Sequence, residues 1–128
     1  MPRTEVVFYR EDANDVPVLD WLKRIRRTDQ RAYETCVAAI ERLADFGHEL
    51  RRPLADFVRD GIYELRVRKG LVKYRILYFF HGRGLAILGH ALTKEDNVPK
   101  ADIERALKRK KAFEAHPVKH TYLEEENA

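Results

Sequence analysis

Three consecutive stretches in the middle of the chain are rich in strand-forming residues and alternate between apolar and charged side chains. They span residues 61–68, 71–80 and 85–94. Side chains point alternately to opposite faces of a β-strand, so residues two apart share a face. The breaks at 69–70 and 81–84 have hairpin length. The pattern therefore predicts an antiparallel meander whose apolar face must pack on another layer.

The same alternation places basic side chains on one face of the predicted sheet. If the three strands pair in chain order, four side chains from three strands can converge on one spot: Arg66, Arg75, His90 and Lys94. The opposite parity carries the apolar residues of the second strand, such as Val72 and Ile76. A cluster of cations on a rigid sheet suits a polyanion, above all a phosphodiester.

Two amphipathic helices are predicted before the meander, after a short strand at Glu5–Tyr9. Pro17 suits a first helical turn, Thr28 or Asp29 can cap a second helix, and Gly47 is a natural stop. Apolar residues recur three and four apart in both helices: Val18, Leu22 and Ile25 with Trp21 alongside, then Tyr33, Val37, Ile40 and Leu43. Such a hairpin must bury its stripes, and the apolar face of the sheet is the expected partner.

The remaining segments set the fold class and the domain boundaries. Residues 50–60 show little periodicity, so we expect a loop there, whereas the apolar pattern from 103 to 113 marks a third helix. The predicted order is β-α-α-β-β-β-α. It describes an α+β fold with a largely antiparallel four-stranded sheet packed on an N-terminal helical hairpin. Residues 1–115 are expected to form one domain, and residues 116–128 a mobile tail.

Composition excludes several classes of protein. With 45% hydrophobic and 36% charged residues, the chain is too apolar to be disordered and too charged for a membrane protein. It contains neither an apolar run of about 20 residues nor a signal-peptide stretch, so a cytoplasmic location is expected. Cys36 is the only cysteine and lies in a helical apolar pattern, which predicts a buried structural thiol.

Three short phrases within the meander carry a family resemblance. They are Gly-Ile-Tyr-Glu-Leu-Arg at 61–66, Tyr-Arg-Ile-Leu-Tyr-Phe at 74–79 and His-Ala-Leu-Thr-Lys at 90–94. With the element order, they make residues 5–113 similar to the RelE/ParE toxin superfamily, in particular its HigB-like, phage-associated branch. The resemblance implies a RelE-like fold and a toxin of a type II toxin–antitoxin module. It also implies a cognate antitoxin, which we expect to be a helix-turn-helix protein.

Within that resemblance, Arg75 matches the strand arginine that contacts the scissile phosphate, and Arg66 matches the arginine of the preceding strand. Lys94 matches the cationic position that ends the last strand, and His90 lies where several members carry a polar residue or histidine. These four residues are the candidate catalytic set. His90 or Lys94 can serve as general acid or base if its pKa lies near the working pH. The alternatives are a hydrogen-bonded structural histidine and arginines that are solvated or paired with Glu64 and Asp60.

Further cations are candidates for binding the RNA backbone. Arg68, Lys69 and Lys73 flank the predicted hairpin, and Lys108 and Arg109 belong to a basic run on the last helix. Such contacts give salt-sensitive, sequence-independent affinity, although a basic run on a helix is also typical of a solvated face. The histidines lack metal-ligand spacing, so neither a metal nor another cofactor is expected.

Three functions remain open at this stage. RelE-type and HigB-type toxins cut messenger RNA on the ribosome, whereas ParE-type toxins poison DNA gyrase without enzymatic activity. A degenerate RNA-binding module on the same fold is the third. The convergent cations favour the first, because a gyrase poison has no need of a phosphate site. The chain departs from some RelE-type members in one respect: no aromatic residue lies between Lys94 and Phe113 to stack on a substrate base.

Overall fold

The computed structural model describes residues 3–93 and 97–123, which form an α+β fold with one mixed sheet. Its elements are β1 (Glu5–Phe8), α1 (Pro17–Thr28), α2 (Gln30–Phe46), a 3-10 turn (Gly47–Glu49), β2 (Ala55–Arg59), β3 (Ile62–Lys69), β4 (Val72–His81), β5 (Leu85–Thr93) and α3 (Lys100–Ala115). The strand order is β1-β5-β4-β3-β2. β1 pairs with β5 in parallel, and every other neighbouring pair is antiparallel. The predicted fold class is confirmed, but the sheet has five strands instead of four.

The additional strand, β2, occupies a segment that the sequence analysis assigned to a loop, and that assignment was wrong. β2 pairs with β3 through the turn Asp60–Gly61, where both residues have positive φ, 51° and 83°. An Asp-Gly pair with two positive φ values is the preferred two-residue hairpin turn, because its twist matches that of the flanking strands. β2 becomes an edge strand beside the central meander of β3, β4 and β5.

The meander has the register that its alternation predicts. Arg66 lies directly opposite Arg75, and Lys69 lies opposite Val72. Gly70 opens the tight connection between these strands with a φ of 63°, a conformation that glycine adopts without a steric penalty. A register shift between Leu77 and Tyr78 interrupts the pairing of β4 with β5.

The helical hairpin packs on one face of the sheet, as predicted. The fully buried residues of this layer include Val18 and Cys36 from the helices and Leu65 and Ile76 from the sheet. Burial raises the pKa of the Cys36 thiol to about 12. Cys36 is therefore the structural thiol that its helical position indicates.

α3 covers part of the opposite face. Its Ala106 and Phe113 are completely buried against a second cluster that includes Leu77 and Phe79 of β4. The face that carries Arg66 and Arg75 is thus shared between an apolar half under α3 and a charged half beside it. None of the described helices is long and apolar enough to cross a bilayer.

Residues 116–123, which the sequence analysis assigned to a tail outside the domain, pack beside β1. The backbone N–H of Arg10 donates to the carbonyl of His120 at 2.8 Å. The His120 ring, 6% exposed, stacks on Tyr9 with a centroid distance of 5.1 Å. The expected boundary at residue 115 therefore precedes a segment that contacts the domain, and residues 124–128 lie outside the described residues.

Candidate phosphate-binding site

A pair of arginines on neighbouring strands forms the centre of the candidate site. Arg66 of β3 and Arg75 of β4 are cross-strand partners with side chains on the same face. Like charges in directly opposed positions destabilise a sheet unless a counter-ion lies between them. Glu64, two residues before Arg66 on the same face, provides that counter-ion.

Glu64 binds both arginines with separate oxygen atoms. Its Oε1 accepts from Nη1 of Arg75 at 2.5 Å, and its Oε2 accepts from Nη2 of Arg66 at 3.3 Å. Glu64 is only 6% exposed. A buried carboxylate is tolerated when charged donors surround it, because the ion pairs offset the loss of hydration. The contacts therefore fix both guanidinium groups in position.

Asp56 of β2 extends the network towards the sheet edge. Its Oδ2 accepts from Nη2 of Arg66 at 3.1 Å and pairs with Nε of Arg52 at 3.1 Å. The hydrogen bond from Arg52 is the main reason that the pKa of Asp56 lies below its ordinary value. Asp56 was not predicted from the sequence because β2 was not recognised, and Asp60 was the expected partner. Asp60 instead pairs with Arg59 at 3.6 Å.

Arg75 has a donor that no other described residue satisfies. Its side chain is 11% exposed, and its Nε is buried without a hydrogen-bond partner among the residues described. Buried orphan donors are uncommon in folded proteins and are often explained by function. Arg66, with a side chain 40% exposed, is the more accessible member of the pair.

An open cavity of about 540 Å³ lies beside the arginine pair. Its described lining is Pro53, Leu54, Arg66, Val67, Arg68, Lys73, Tyr74, Arg75 and Asn97. Four of these residues are cations and none is a carboxylate, because Glu64 and Asp56 pair with the arginines without lining the cavity. We call this the arginine cavity. It brings together four of the predicted site residues: Arg66, Arg68, Lys73 and Arg75.

His90 belongs to a different cluster, formed with α3. Its Nε2 lies 2.6 Å from Oδ1 of Asp102, and its Nδ1 lies 3.1 Å from Nη1 of Arg109. Burial, opposed by the hydrogen bond to Asp102, lowers the pKa of His90. A neutral ring satisfies both contacts, since Nε2–H donates to the carboxylate while Nδ1 accepts from the guanidinium. The expectation that His90 joins the arginines is therefore not met, and both of its ring nitrogens are occupied.

Arg109, which was predicted to bind RNA, is held by contacts within the fold. Its Nη1 donates to the carbonyl of Gly89 at 2.9 Å, its guanidinium lies 5.8 Å from the centre of the Tyr9 ring, and its side chain is 14% exposed. Burial lowers its pKa. Lys108, its neighbour on α3, is exposed and lies away from the arginine cavity.

Lys69 lies on the opposite face of β3 from the arginines. Its Nζ binds Oδ2 of Asp29 at 2.6 Å. Asp29 caps α2 by accepting from the N–H of Ala32 at 3.1 Å. The hydrogen bond from Lys69, followed by that from Ala32, lowers the pKa of Asp29. Lys69 thus joins the sheet to the helical hairpin, and the predicted contact with RNA does not fit its position.

Two predicted features lie partly beyond what the structure covers. Lys94 falls in the gap between residues 93 and 97, outside the described residues. Within residues 3–93 and 97–123, no three His, Cys, Asp or Glu side chains cluster as metal ligands do.

The fold and the cavity define a small α+β protein with a cation-lined cavity on its sheet. The chain belongs to the family described as phage derived protein Gp49-like (DUF891), whose model matches residues 23–111. The match covers the second half of α1, all of α2, the complete meander and most of α3, and therefore every described residue that lines the arginine cavity. This family typically comprises RelE-like toxins of toxin–antitoxin modules. No curated protein matches the chain.

Proposed function

We propose that this protein is the toxin of a type II toxin–antitoxin module and cuts messenger RNA on the ribosome without a metal ion. The observation that carries the proposal is the cross-strand pair Arg66–Arg75, held by buried Glu64 beside a cavity whose described lining has four cations and no carboxylate. Membership of the Gp49-like family supports the toxin class. The phrases at 61–66, 74–79 and 90–94, taken with the element order, are the basis for proposing the HigB-like branch.

The reaction proposed is an internal transesterification. The 2′-oxygen of one nucleotide forms a bond to the adjacent phosphorus, the bond from phosphorus to the 5′-oxygen breaks, and a 2′,3′-cyclic phosphate and a 5′-hydroxyl result. The proton leaves the 2′-hydroxyl to water, and the departing 5′-oxygen takes one from water. The negative charge that accumulates on the phosphorane is the part of this reaction that the arginines address.

Arg66 and Arg75 suit that task because guanidinium groups donate in a planar fork to two phosphate oxygens. Glu64 fixes them before the substrate arrives, so little reorganisation accompanies the reaction. Preorganised donors of this kind commonly contribute about 3 kcal/mol each to the transition state. Arg68 and Lys73 then hold the flanking backbone.

Proton transfer has no dedicated side chain among the described residues of the arginine cavity. His90, the natural candidate by residue type, has both nitrogens engaged by Asp102 and Arg109. The roles proposed for Arg66 and Arg75 are charge stabilisation and positioning, and Lys94, outside the described residues, stays the candidate base. This fits dependence on the ribosome, which can align the 2′-hydroxyl with the phosphate.

The proposed partners follow from the same surface. A cognate antitoxin neutralises the protein by covering the arginine cavity or by preventing access to the ribosome, and a helix-turn-helix protein encoded beside it is the expected candidate. Messenger RNA and the ribosome complete the set. Phosphate contacts of this kind weaken with salt.

Mapping of messenger 5′ ends after induction in growing cells tests the proposal. It predicts breaks in phase with the reading frame that disappear when translation initiation is blocked. Intact transcripts together with trapped gyrase–DNA complexes would instead identify a gyrase poison. Normal growth with intact transcripts would indicate the third alternative, an RNA-binding module on the same fold.

A further inference from the structure

We infer that a second cavity beside β2 binds single-stranded RNA next to the nucleotide held at Arg66 and Arg75, with a base stacking on Phe57. The inference rests on the proposed function, because it adds a subsite for the same strand. This cavity measures about 500 Å³. We call it the aromatic subsite and define it by His48, Arg51, Arg52, Phe57 and Tyr63.

Phe57 is the exposed ring of this subsite. It lies on the edge strand and is 54% exposed. Its one ring partner among the described residues is Tyr63, at 5.3 Å and 75°. An edge-to-face contact leaves at least one face of Phe57 clear of Tyr63. That face is available to a planar group.

The rings behind Phe57 hold it in place. Tyr63 stacks on Tyr78 at 5.6 Å and contacts Phe80 edge-to-face at 5.4 Å. His48 stacks on the same Phe80 with a centroid distance of 3.6 Å. Phe57 is thus the outermost member of an ordered aromatic group, so little entropy is lost when a base stacks on it.

Arginines surround the exposed ring. Arg51 is exposed and forms no ion pair with any described residue, and the Arg52 side chain is 75% exposed although it pairs with Asp56. Exposed aromatic rings combined with cations that follow the backbone are the usual means of binding single-stranded nucleic acid. The chemistry of the subsite therefore fits bases and phosphates together.

The aromatic subsite and the arginine cavity meet around the edge of the sheet. Phe57 pairs with Tyr63 and Asp56 pairs with Glu64, so Phe57 lies on the opposite face of β2 from the carboxylate that binds Arg66. A third cavity adjoins both of them. It shares Arg51 and Arg52 with the aromatic subsite, and Pro53 and Leu54 with the arginine cavity. Asp56 joins the two ends directly, because its carboxylate binds both Arg52 and Arg66. A strand whose phosphate lies at Arg66 would therefore pass around the edge of the sheet along residues 50–54 to reach Phe57 on the other face.

The test measures the affinity of the full chain for a fluorescent oligoribonucleotide about ten nucleotides long. Every ribose carries a 2′-O-methyl group, so the attacking hydroxyl is blocked and cleavage cannot occur. A matched series carries one abasic site at each position in turn. The proteins compared are the wild type, Phe57→Ala, Phe57→Trp and the control Val118→Ala, which alters an apolar residue 82% exposed on the C-terminal segment.

Phe57→Ala is expected to weaken binding of the intact oligonucleotide about tenfold, in the range for loss of one stacked base. Phe57→Trp, which keeps a flat ring, and Val118→Ala should bind like the wild type. At one abasic position the wild type should bind as weakly as Phe57→Ala, because the base that stacks is absent. Circular dichroism melting of each variant distinguishes lost stacking from lost folding.

Three results would overturn the inference: equal affinity of Phe57→Ala and the wild type, no abasic position that removes the difference, or no binding of the wild type at low salt. If the first of these results is accompanied by loss of the antitoxin complex in Phe57→Ala, the surface around Phe57 is a protein interface instead. Cleavage assays separate this inference from the proposed function. If Arg75→Lys abolishes cleavage while Phe57→Ala changes nothing, the stacking subsite alone fails. If Phe57→Ala weakens binding as expected but the wild type cleaves no messenger RNA, the nuclease proposal alone fails.

Discussion

Arg66 and Arg75 lie directly opposite each other on β3 and β4, and the two oxygens of Glu64 join them. Two cations at opposed positions of a sheet would otherwise repel each other. The arrangement keeps both guanidinium groups on one face, where they line the cavity, while the carboxylate that joins them is buried. The site is therefore built before any ligand binds.

Removing the charge of Glu64 tests whether it holds the arginine pair. Glu64→Gln keeps the shape of the side chain but leaves two opposed guanidinium groups without their shared counter-ion. We expect a loss of about 1–3 kcal/mol in the free energy of unfolding, measured by urea titration. Messenger cleavage should fall as well, because the arginines lose their fixed position.

The exposed ion pair Arg3–Asp45 provides the control for that substitution, since its side chains are 65% and 52% exposed. Asp45→Asn should change the stability by less than about 0.5 kcal/mol and leave cleavage unaltered. A Glu64→Gln variant as stable as the wild type would show that Glu64 does not support the site.

The His90 cluster predicts a dependence of stability on pH. Burial lowers the pKa of His90 in the folded state, so between that value and the unfolded value of about 6.5 the unfolded chain binds more protons. Stability contributed by neutral His90 is therefore complete above about pH 6.5 and is lost as the pH falls below it. Urea titrations between about pH 5 and about pH 7.5 measure the effect.

His90→Asn should reduce the slope of stability against pH in this range, because the titrating group is gone. Exposed His116 supplies the comparison, and His116→Asn should retain the wild-type slope. Equal slopes for His90→Asn and the wild type would contradict the structural role. If His90 acts as general acid or base instead, its replacement should remove one limb of the pH–rate profile.

Lys69 and Lys73 flank the same turn but lie on opposite faces, which makes them a matched pair. Lys73→Ala should weaken RNA binding and reduce the slope of log K against log salt by about one unit, as loss of one phosphate contact predicts. Lys69→Ala should leave the salt slope unchanged and lower the melting temperature instead, because its partner is the helix cap Asp29. Equal effects of the two substitutions on RNA binding would contradict the assignment of faces.

Alternation along the chain was sufficient to predict the meander and the opposed arginines, because a strand allows only two directions for its side chains. The same alternation groups Lys69 with Leu65 and Val67, on the face away from Arg66. β2 escaped prediction because Pro53 and the short length of the segment obscured it, although Asp60–Gly61 is a strong hairpin signal. That turn would also have identified Asp56 as a neighbour of Arg66.

The environment of His90 could not be read from the sequence. Its partners Asp102 and Arg109 lie on α3, and their approach depends on how that helix crosses the sheet. Periodicity shows which face of a helix is apolar, but it does not show where on the sheet that helix packs. For the same reason Arg109 resembled a solvated residue of a basic run, whereas it donates to the Gly89 carbonyl.

Cleavage by Arg75→Lys is the most direct test of the central claim. Lysine keeps the positive charge beside Glu64 but cannot donate in a planar fork to two phosphate oxygens. The measurement is the rate of a single round of scission of ribosome-bound messenger RNA, with melting curves to show that the variant is folded. We predict a loss of about a hundredfold or more for a folded variant. Cleavage by folded Arg75→Lys at the wild-type rate would contradict the account.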